Sequence, residues 1–280
     1  MRVVYQGEPG AYSEAAAHVF LPDARPRGLT TFHEVFEAVA SGRAERGVVP
    51  VENSIGGSVG EVIDGLFDVR GIHVVAEHWM PIAHALVAPE DTALEDVREI
   101  RSHPQALRQC AASLRTLVPE ASLVTAFDTA GAARQIAEAK PPGVAAVTSR
   151  AAAERYGLAV LAVDVASDAA NVTRFLLLAP EGVASTRGGA MKTTLVLEPR
   201  VGVPNALFRS LTAFVGRRLA VHRIEQRPRL GQPGAYRYLL DVDGDAATET
   251  LKSAFEDLGT LCDEVRVVGS YAAAVIPSRD

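Results

Sequence analysis

Apolar and polar residues alternate with two different periodicities along the first 180 residues of the chain. Short apolar runs, typical of buried strands, alternate with segments in which apolar residues recur every three or four positions, as on one face of a helix. The runs predict strands over 2–6, 47–51, 72–76, 82–88, 123–125, 144–147 and 175–178. The longer rhythm predicts helices over 13–21, 31–41, 58–67, 129–139 and 149–156, and one that begins near 102. This alternation predicts an α/β fold, long enough for two lobes with a cleft between them.

Two of these helix starts have the sequence form of a capping box. Ser58 is followed three positions later by Glu61, and Ser102 in the same way by Gln105. In a capping box, the hydroxyl and the longer polar side chain each bond one free N–H group of the first helical turn. Pro104 also suits a first turn, because that position needs no N–H donor. A third feature, Lys140-Pro141-Pro142-Gly143, predicts a helix stop.

The rhythm changes after a small, polar, glycine-rich segment over 180–189, which has the composition of a domain boundary. We therefore divide the chain into a first domain over 1–182, a linker over 183–190 and a second domain over 191–280. In the second domain the pattern predicts strand, helix, strand, strand, helix and strand over 193–198, 204–215, 219–226, 236–242, 246–258 and 264–269. This βαββαβ order is typical of an α+β ferredoxin-like fold. Its sheet is expected to leave one face free for a second copy, so we predict a homo-oligomer.

Composition narrows the class of protein. The 280 residues suit two compact units, and the net charge of -6 argues against nucleic-acid binding, which needs clustered Lys and Arg. No apolar run is long enough to span a bilayer. The chain opens on a strand-like segment without the apolar stretch of a signal peptide, so a cytoplasmic location is expected. Cys110 and Cys262 lie far apart without metal-ligand spacing, so buried thiols are predicted, and no metal or other cofactor.

Hydroxyl side chains stand at several predicted helix starts of the first domain: Ser13, Ser54 with Ser58, Ser102, Thr129 and Ser149. Helix N-termini present unpaired N–H groups and a partial positive charge, so they bind carboxylates. Each hydroxyl taken alone is also explained by helix capping. Their number in one α/β unit indicates that some of them face a shared anion.

Four segments of the first domain resemble, in order, the motifs of the prephenate dehydratase family. They are Tyr5-Gln6-Gly7-Glu8-Pro9-Gly10-Ala11-Tyr12-Ser13-Glu14, Val49-Pro50-Val51-Glu52-Asn53-Ser54-Ile55-Gly56-Gly57-Ser58-Val59, Ser102-His103-Pro104-Gln105-Ala106-Leu107 with Gln109-Cys110, and Ser167-Asp168 with Asn171-Val172-Thr173-Arg174-Phe175. A single motif of this kind is a weak signal, and its context must agree. The resemblance implies a two-lobed catalytic domain similar to periplasmic binding proteins, and a reaction without cofactor in which prephenate loses carbon dioxide and water to give phenylpyruvate.

The resemblance also implies roles for residues in these motifs. Thr173 would donate a hydrogen bond or a proton to the departing hydroxyl group, and Asn53 and Gln105 would orient the substrate. Arg174 would pair with a substrate carboxylate, because its planar fork suits bidentate contact. The remaining residues expected to bind substrate are Ser13, Ser54, Ser102, His103 and Phe175.

Each role has a structural alternative. Thr173 could simply pack in a strand, Arg174 could form a surface ion pair, and Gln105 could serve only the predicted capping box. His103 is a second candidate proton donor, since its pKa lies near neutrality. Glu52 is expected to hold its loop, because a carboxylate beside a bound anion would be unfavourable.

The second domain resembles an ACT domain, the regulatory module fused to members of this family. Its effector-binding segments would be Pro204-Asn205-Ala206-Leu207 and Glu225-Gln226-Arg227-Pro228, and phenylalanine is the expected effector. Both segments depart from the family pattern: Asn205 replaces the usual Gly, Gln226 replaces the usual Ser, and Pro233-Gly234-Ala235-Tyr236 lacks the usual Trp-Glu pair. Pairing through these domains would give a homodimer or homotetramer.

Two other functions fit the same sequence. Arogenate dehydratase catalyses the same chemistry on an amino-acid side chain, and the motifs do not separate the two enzymes. A non-catalytic cytoplasmic sensor of small anions would also have two α/β lobes and helix starts around a cleft. A fused mutase region is not expected, because the first motif begins at Tyr5.

Overall fold

The computed structural model describes residues 1–168 and 170–277, so the last three residues of the predicted second domain lie outside the described residues. Up to residue 81 the elements are β1 (Val3–Gln6), α1 (Tyr12–Phe20), β2 (Arg27–Leu29), α2 (Phe32–Ala40), β3 (Arg46–Asn53), β4 (Gly57–Ser58), α3 (Gly60–Asp68) and β5 (Ile72–Pro81). From residue 85 to 162 they are β6 (Ala85–Ala88), β7 (Glu99–Ser102), α4 (Pro104–Leu117), β8 (Ser122–Thr125), α5 (Thr129–Ala139), β9 (Val144–Thr148), α6 (Arg150–Tyr156) and β10 (Ala159–Ala162). The last part contains β11 (Val172–Pro180), β12 (Met191–Pro199), α7 (Ala206–Val215), β13 (Val221–Pro228), β14 (Tyr236–Asp243), α8 (Glu249–Gly259) and β15 (Cys262–Ala272). The predicted α/β region followed by a βαββαβ unit is confirmed.

The α/β region forms two lobes, as predicted. In the first lobe, the strands run in the order β5-β11-β3-β1-β2, and β4 pairs with β3. The second lobe has its own sheet in the order β10-β6-β9-β7-β8. The chain passes between the lobes twice, over 82–84 and over 163–168 with 170–171. We call these two segments the crossings.

Strand β11 is longer than predicted and lies between β3 and β5. It begins at Val172 rather than 175, so Thr173 and Arg174 belong to the strand. Side chains alternate across a strand, and Thr173 and Phe175 therefore share one face while Arg174 points to the other. Phe175 packs in the same apolar cluster as residues of α1. A register shift opposite β3 between Arg174 and Phe175 marks a β-bulge, a feature that re-aims side chains.

Both predicted capping boxes are wrong. Helix α3 begins after Val59 without a side-chain cap, because Ser58 belongs to β4 and contacts Glu225 instead. At α4 the strand β7 extends through Ser102, whose buried hydroxyl donates to the Val147 carbonyl oxygen at 2.6 Å. His103 caps α4 in its place. A capping box does form at α2, and α5 stops at Lys140 as predicted.

The second domain has helices on one sheet face and the first lobe on the other. Helices α7 and α8 cover the apolar face of β14 and bury Tyr238, Leu240 and Val242, while Tyr236 at the start of the strand is 40% exposed. The opposite face contributes Leu239 to the apolar cluster that contains Leu66 of α3. The expectation of a free sheet face is therefore wrong for the described residues, since the first lobe already covers much of it.

The two halves of the molecule also share one sheet. Strand β15 pairs in parallel with β5 through Gly269 and Val74, which joins the order β13-β14-β12-β15 to the sheet of the first lobe. The predicted linker lies against this junction. Thr186 donates from its backbone N–H to the Val75 carbonyl oxygen at 2.8 Å and accepts from the backbone N–H of Ala272 at 3.0 Å.

Both cysteines are free and buried, as predicted, and burial raises the pKa of the Cys110 thiol to about 12. In the described part of the chain, no helix combines the length and apolar character needed to cross a membrane.

Candidate active site

A cavity of about 420 Å³ lies between the two lobes, and we call it the cleft cavity. The starts of five helices contribute to its wall. They supply Tyr12 and Ser13 of α1, Thr31 and Phe32 at α2, Val59 and Glu61 at α3, His103 and Gln105 at α4, and Asp128 and Thr129 at α5. Helices α1 and α3 begin without a side-chain cap, so their first N–H groups are available to a ligand. Among the described residues that line the cavity there is no Lys or Arg, and Glu61 and Asp128 contribute carboxylates, so the positive charge available to an anion is that of the helix N-termini.

Asn53 is the best-connected side chain of the wall. Its Oδ1 accepts from the backbone N–H groups of Ile55 and Gly56 at 3.1 and 2.7 Å. The same oxygen accepts from Nε2 of Gln105 at 3.1 Å and from Nε2 of Gln109 at 3.2 Å. Since Asn53 belongs to the first lobe and both glutamines to α4, these bonds tie the two lobes together across the cleft.

The amide nitrogen of Asn53 sets the state of the Thr173 hydroxyl. The two residues stand directly opposite each other on β3 and β11, and Nδ2 of Asn53 donates to Oγ1 of Thr173 at 2.9 Å. Nδ2 also lies 2.6 Å from Oδ1 of Asn171 and 3.1 Å from the Val172 carbonyl oxygen. Because the Thr173 oxygen accepts from Asn53, its own hydrogen stays available, and no described protein group accepts it. Thr173 therefore presents a hydrogen-bond donor at the wall of the cleft cavity.

A second group of polar side chains continues from Gln109. Its Oε1 accepts from Nδ2 of Asn171 at 3.1 Å and lies 3.2 Å from Nε2 of His84. The other ring nitrogen of His84 lies 3.1 Å from the hydroxyl of Tyr12, which also donates to the Ala83 carbonyl oxygen at 2.6 Å. Burial lowers the pKa of His84 and raises that of Tyr12, so both groups favour the neutral form.

The other predicted residues of the wall have mixed surroundings. Ser13 and Phe175 are buried and line the cavity. His103 lines it too, and its Nδ1 accepts from the backbone N–H of Gln105 at 3.3 Å. Burial lowers the pKa of His103, the nearby Arg108 lowers it further, and Asp128 opposes both. A neutral His103 is a weaker candidate for the proton donor.

Three residues predicted to bind substrate lie elsewhere. Ser102 points into the second lobe, and Ser54 bonds the start of β11, donating to the Ala170 carbonyl oxygen and accepting from the Val172 N–H, both at 3.0 Å. Arg174 is only 2% exposed and points to the sheet face away from Thr173. Carboxylates of the protein already occupy its guanidinium group, so the pairing of Arg174 with a substrate carboxylate stays a prediction that this geometry does not support.

These carboxylates come from three strands. Arg174 bonds Glu77 through Nε at 2.6 Å, Asp241 at 2.6 Å and Glu52 at 3.0 Å, and it donates to the Tyr271 hydroxyl at 3.1 Å. Lys192 bonds the second oxygen of Glu77 at 2.6 Å. We call Arg174, Glu52, Glu77, Asp241 and Lys192 the Arg174 cluster. It joins β11 and β3, next to Thr173 and Asn53, to strands β12 and β14 of the second domain.

The two predicted effector segments lie on different elements. Pro204-Asn205-Ala206-Leu207 forms the start of α7, where Asn205 has a left-handed backbone with φ of 56°. This conformation favours Gly and tolerates Asn, which fits the departure from the family pattern. Glu225 and Arg227 of β13 face the first lobe, where Glu225 contacts Ser58 and Arg227 bonds Asp64 at 2.7 Å. The alternate residues Gln226 and Pro228 are exposed on the other side of the strand.

Sequence reasoning assigned no role to four residues of the site: Tyr12, His84, Gln109 and Asn171. Three of them stand within the motif segments, so those segments contained the signal. His84 lies outside every motif, in an apolar run that was predicted as strand, and only the structure reveals its polar partners.

Comparisons with known proteins agree with this geometry. Residues 3–183 match the family model for prephenate dehydratase. A chloroplastic arogenate dehydratase/prephenate dehydratase 2 of Arabidopsis thaliana is 38% identical over 97% of this chain and 72% of its own length. The crystal structure of prephenate dehydratase from Arthrobacter aurescens in complex with L-Phe is 32% identical, with a TM-score of 0.90 over 99% of this chain and 93% of that one. GqqA, described as a novel type of quorum quenching acylase, is 31% identical, with a TM-score of 0.87 over 98% of each chain. The chain belongs to the prephenate dehydratase family, a family of lyases.

Proposed function

We propose that this chain converts prephenate to phenylpyruvate, carbon dioxide and water. The observation that carries the proposal is the Thr173 hydroxyl, which accepts from Asn53 and keeps its own hydrogen free at the wall of the cleft cavity. The reaction needs a donor at the oxygen that leaves the ring. The family match and the volume of the cavity, which suits a small organic anion, support the same conclusion.

The reaction balances without an oxidant or a metal. The bond between the ring and its carboxylate breaks, and its electron pair enters the ring as carbon dioxide leaves. The ring carbon–oxygen bond breaks at the same time, and the hydroxyl group departs with that electron pair and takes up one proton from the solvent to become water. Because the product ring is aromatic, the substrate already contains the driving force, and the protein has to stabilise charge on the leaving oxygen.

Thr173 supplies that stabilisation. A hydroxyl donor that is already oriented costs no reorganisation when charge develops, and a buried setting strengthens the bond. Asn53 prevents Thr173 from turning its hydrogen inward, because its own N–H occupies the Thr173 oxygen. Gln105 and Gln109 hold Asn53 in turn. Thr173 therefore acts as an oriented donor and need not give up its proton.

The carboxylates of the substrate bind to helix N-termini rather than to a guanidinium group. The uncapped starts of α1 and α3 both line the cleft cavity, and each offers N–H groups together with a positive end of the helix dipole. This assignment replaces the role that the sequence suggested for Arg174. The Arg174 cluster instead holds β3 and β11 from behind.

Arogenate is the second candidate substrate. It carries an ammonium group where prephenate has a keto group, and the carboxylate of Glu61 lines the cleft cavity without a bonding partner among the described residues. Asp128 also lines the cavity, but it caps α5. Glu61 would accept a hydrogen bond from that ammonium group, and the Arabidopsis relative is named for both activities.

We further propose that the second domain is an ACT domain that binds phenylalanine. The Arthrobacter enzyme was crystallised with L-Phe. Strand β13, which carries one predicted effector segment, contacts Ser58 and Asp64 on either side of the α3 start that lines the cavity. A ligand that shifts β13 can therefore act on the cleft.

We also propose that the protein forms a homo-oligomer through the second domain. The surface that supports this is on α7, because the first lobe already covers much of the sheet face. Phe208 and Val215 lie seven residues apart on α7 and are 71% and 69% exposed. Residues at this spacing share one helix face, so α7 presents an apolar surface suited to a second copy. The cytoplasmic location stays a prediction from the sequence.

A single set of assays tests the proposed function. The purified full-length protein is given prephenate and arogenate in separate reactions, with and without phenylalanine, and the aromatic product is followed by absorbance. Turnover of prephenate at the higher kcat/KM is expected. A higher kcat/KM for arogenate would mean that arogenate, and not prephenate, is the substrate. Absence of lyase turnover with both compounds would overturn the proposal. An acylase assay in parallel addresses the activity named for GqqA.

A further inference from the structure

The hydrogen bonds around the cleft cavity have a direction that can be read from the backbone. Oδ1 of Asn53 accepts from two backbone N–H groups, and its Nδ2 faces the carbonyl oxygen of Val172. Backbone donors and acceptors cannot exchange roles. The orientation of the Asn53 amide is therefore fixed, with oxygen towards Gln109 and nitrogen towards Thr173.

This fixed amide determines its neighbours in turn. Gln109 must face Asn53 with its nitrogen, because the Asn53 oxygen can only accept, and its Oε1 then faces His84. Asn171 receives a hydrogen from Asn53 on Oδ1 and gives one to Gln109 from Nδ2. Every amide of the group is then satisfied in one arrangement, and Gln109 Oε1 is an acceptor at both of its contacts.

His84 is the last residue in this series of hydrogen bonds. Since Gln109 Oε1 accepts, Nε2 of His84 must carry a hydrogen at this 3.2 Å contact. In the neutral ring, Nδ1 is then an acceptor 3.1 Å from the Tyr12 oxygen, and Tyr12 donates its single hydrogen to Nδ1 instead of to Ala83. In the protonated ring, Nδ1–H donates to the same oxygen while Tyr12 donates to Ala83. Both states keep the hydrogen on Nε2, so the bond to Gln109 does not depend on the charge of His84.

The position of His84 in the fold gives this bond its importance. His84 lies on one crossing and Asn171 on the other, and Gln109 of the second lobe bonds both. The crossings are also joined by their backbones, from the Ile82 N–H to the Asn171 carbonyl oxygen at 2.8 Å and from the Val165 N–H to the His84 carbonyl oxygen at 3.0 Å. The same side chains that orient Asn53 therefore hold the two crossings between the lobes together.

We propose that His84 is a positioning residue, whose Nε2–H holds the amide of Gln109 and, through Asn171 and Asn53, the donor state of Thr173. The inference rests on the proposed lyase function for its kinetic readout. It assigns no proton transfer to His84. The titratable groups near its ring are Tyr12 and, beside Tyr12, Cys110, and burial raises the pKa of both, so neither brings a charge to it near neutral pH.

A matched pair of variants tests the proposal. In His84→Gln the side-chain nitrogen can reach the position of Nε2 and donate to Gln109, whereas in His84→Asn the shorter amide reaches only the position of Nδ1. We expect His84→Asn to lower kcat about tenfold or more with KM changed less than about threefold, and His84→Gln to retain kcat within about threefold. Thermal unfolding of both variants serves as the control for folding.

The pH profile separates positioning from acid catalysis. Because Nε2 keeps its hydrogen in both states of the ring, wild-type kcat should show no loss that follows the titration of His84 as the pH rises. Equal loss of kcat in both variants, together with a wild-type kcat that falls with rising pH, would assign the proton to His84 and overturn the proposal. Normal kcat in His84→Asn would overturn it as well.

One measurement needs neither variant nor turnover. Nitrogen NMR shifts of the histidine rings in the wild-type protein at pH 8 distinguish the two neutral tautomers. The proposal requires the hydrogen of His84 on Nε2, and a hydrogen on Nδ1 would overturn it even if His84→Asn does not fold. If the protein turns over neither prephenate nor arogenate, the proposed function fails while this result still decides the tautomer.

Discussion

At the scale of single residues, Asn53 uses every polar atom of its side chain inside the protein. Its oxygen takes four N–H donors, and its nitrogen holds Asn171 and Thr173. A side chain bonded in this way has one rotamer, so the positions of the side chains that bond to it are fixed as well. Thr173 can present a donor because Asn53 leaves it no other arrangement.

Gly56 permits the close approach of Gln105 to this amide. A Cβ atom added at Gly56 would overlap the Gln105 amide, which is the flexible end of its side chain. We expect Gly56→Ala to displace Gln105 from Asn53 and to lower kcat about tenfold, the value of one lost hydrogen bond of about 1.4 kcal/mol. The free energy of unfolding should change by less than about 1 kcal/mol, because no core side chain moves.

Gly259→Ala is the matched control for steady-state kinetics and urea unfolding. Gly259 ends α8, and apart from its chain neighbours and the backbone of its own helix no heavy atom lies within 4 Å of its added Cβ. The control should leave kcat unchanged. Equal kcat values in the two variants would show that the position of Gln105 does not affect turnover.

At the scale of elements, β3 and β11 place a reaction surface and a structural cluster on opposite faces of one sheet. Asn53 and Thr173 face the cleft, while their neighbours Glu52 and Arg174 face the second domain. Burial by itself would raise the pKa of Asp241, but Arg174 and Thr194 outweigh it and hold that pKa below its usual value. The ionised form of Asp241 thus stabilises the fold.

We expect Asp241→Asn to lower the free energy of unfolding by about 3 kcal/mol at pH 7, because it leaves Arg174 short of a buried counter-charge. Glu138→Gln, which breaks an exposed pair with Arg134, should cost less than about 0.5 kcal/mol. Urea unfolding measures both values. Similar small losses in the two variants would mean that the Arg174 cluster contributes little.

The same variant has a defined pH dependence. A carboxyl whose pKa is lowered by folding contributes its full stability above its unfolded pKa of about 3.9 and loses it as the pH falls through the lower folded value. The difference in unfolding free energy between wild type and Asp241→Asn should therefore be constant near neutral pH and shrink below about pH 4. A difference that grows in acid would reverse the sign of the assigned pKa shift.

How far the sequence predicted these elements depended on the range of the interactions involved. The helices of the first domain, the stop at Lys140 and the βαββαβ order of the second domain are local patterns, and the structure confirms them. Strands β2, β4, β7 and β10 were not predicted. Ser58 and Ser102 failed as caps because strand pairing extends through them, and strand pairing is a long-range interaction. Side-chain alternation along a strand that begins at Val172 places Arg174 on the sheet face opposite to Thr173. This alternation could not be used from the sequence, because the strand was predicted to start at residue 175.

At the scale of the whole molecule, the second domain is built into the first lobe. A shared sheet, a shared apolar cluster and the Arg174 cluster connect the two. A ligand of the second domain therefore acts on a structure that is continuous with the cleft. Local patterns could show most elements of each domain, but contacts between domains have no local pattern.

Phenylalanine should stabilise the folded protein by binding to it in preference to the unfolded chain, by about 2.7 kcal/mol at a concentration one hundred times its Kd. Thermal unfolding with phenylalanine and, as the control, with alanine measures the effect. The proposal also expects phenylalanine to change kcat or KM. If phenylalanine at high concentration changes neither thermal unfolding nor kcat or KM, the proposal that the second domain binds phenylalanine is refuted.

The apolar face of α7 gives a prediction for assembly. Phe208→Asp should lower the molar mass in solution towards that of a single chain, because a charge on this surface opposes its burial against a second copy. Light scattering after size-exclusion chromatography measures the mass, and Val163→Asp, an exposed substitution at the start of the second crossing, is the control. A wild-type protein that is already a single chain would refute the proposed assembly.

The central claim concerns the hydroxyl hydrogen of Thr173, and two substitutions test it most directly. Thr173→Val keeps the shape of the side chain and removes the donor, whereas Thr173→Ser keeps the donor. With folding verified by circular dichroism, we predict that Thr173→Val lowers kcat for phenylpyruvate formation by about 100- to 1000-fold, and that Thr173→Ser retains a measurable part of it. Near-normal kcat in Thr173→Val would contradict the account.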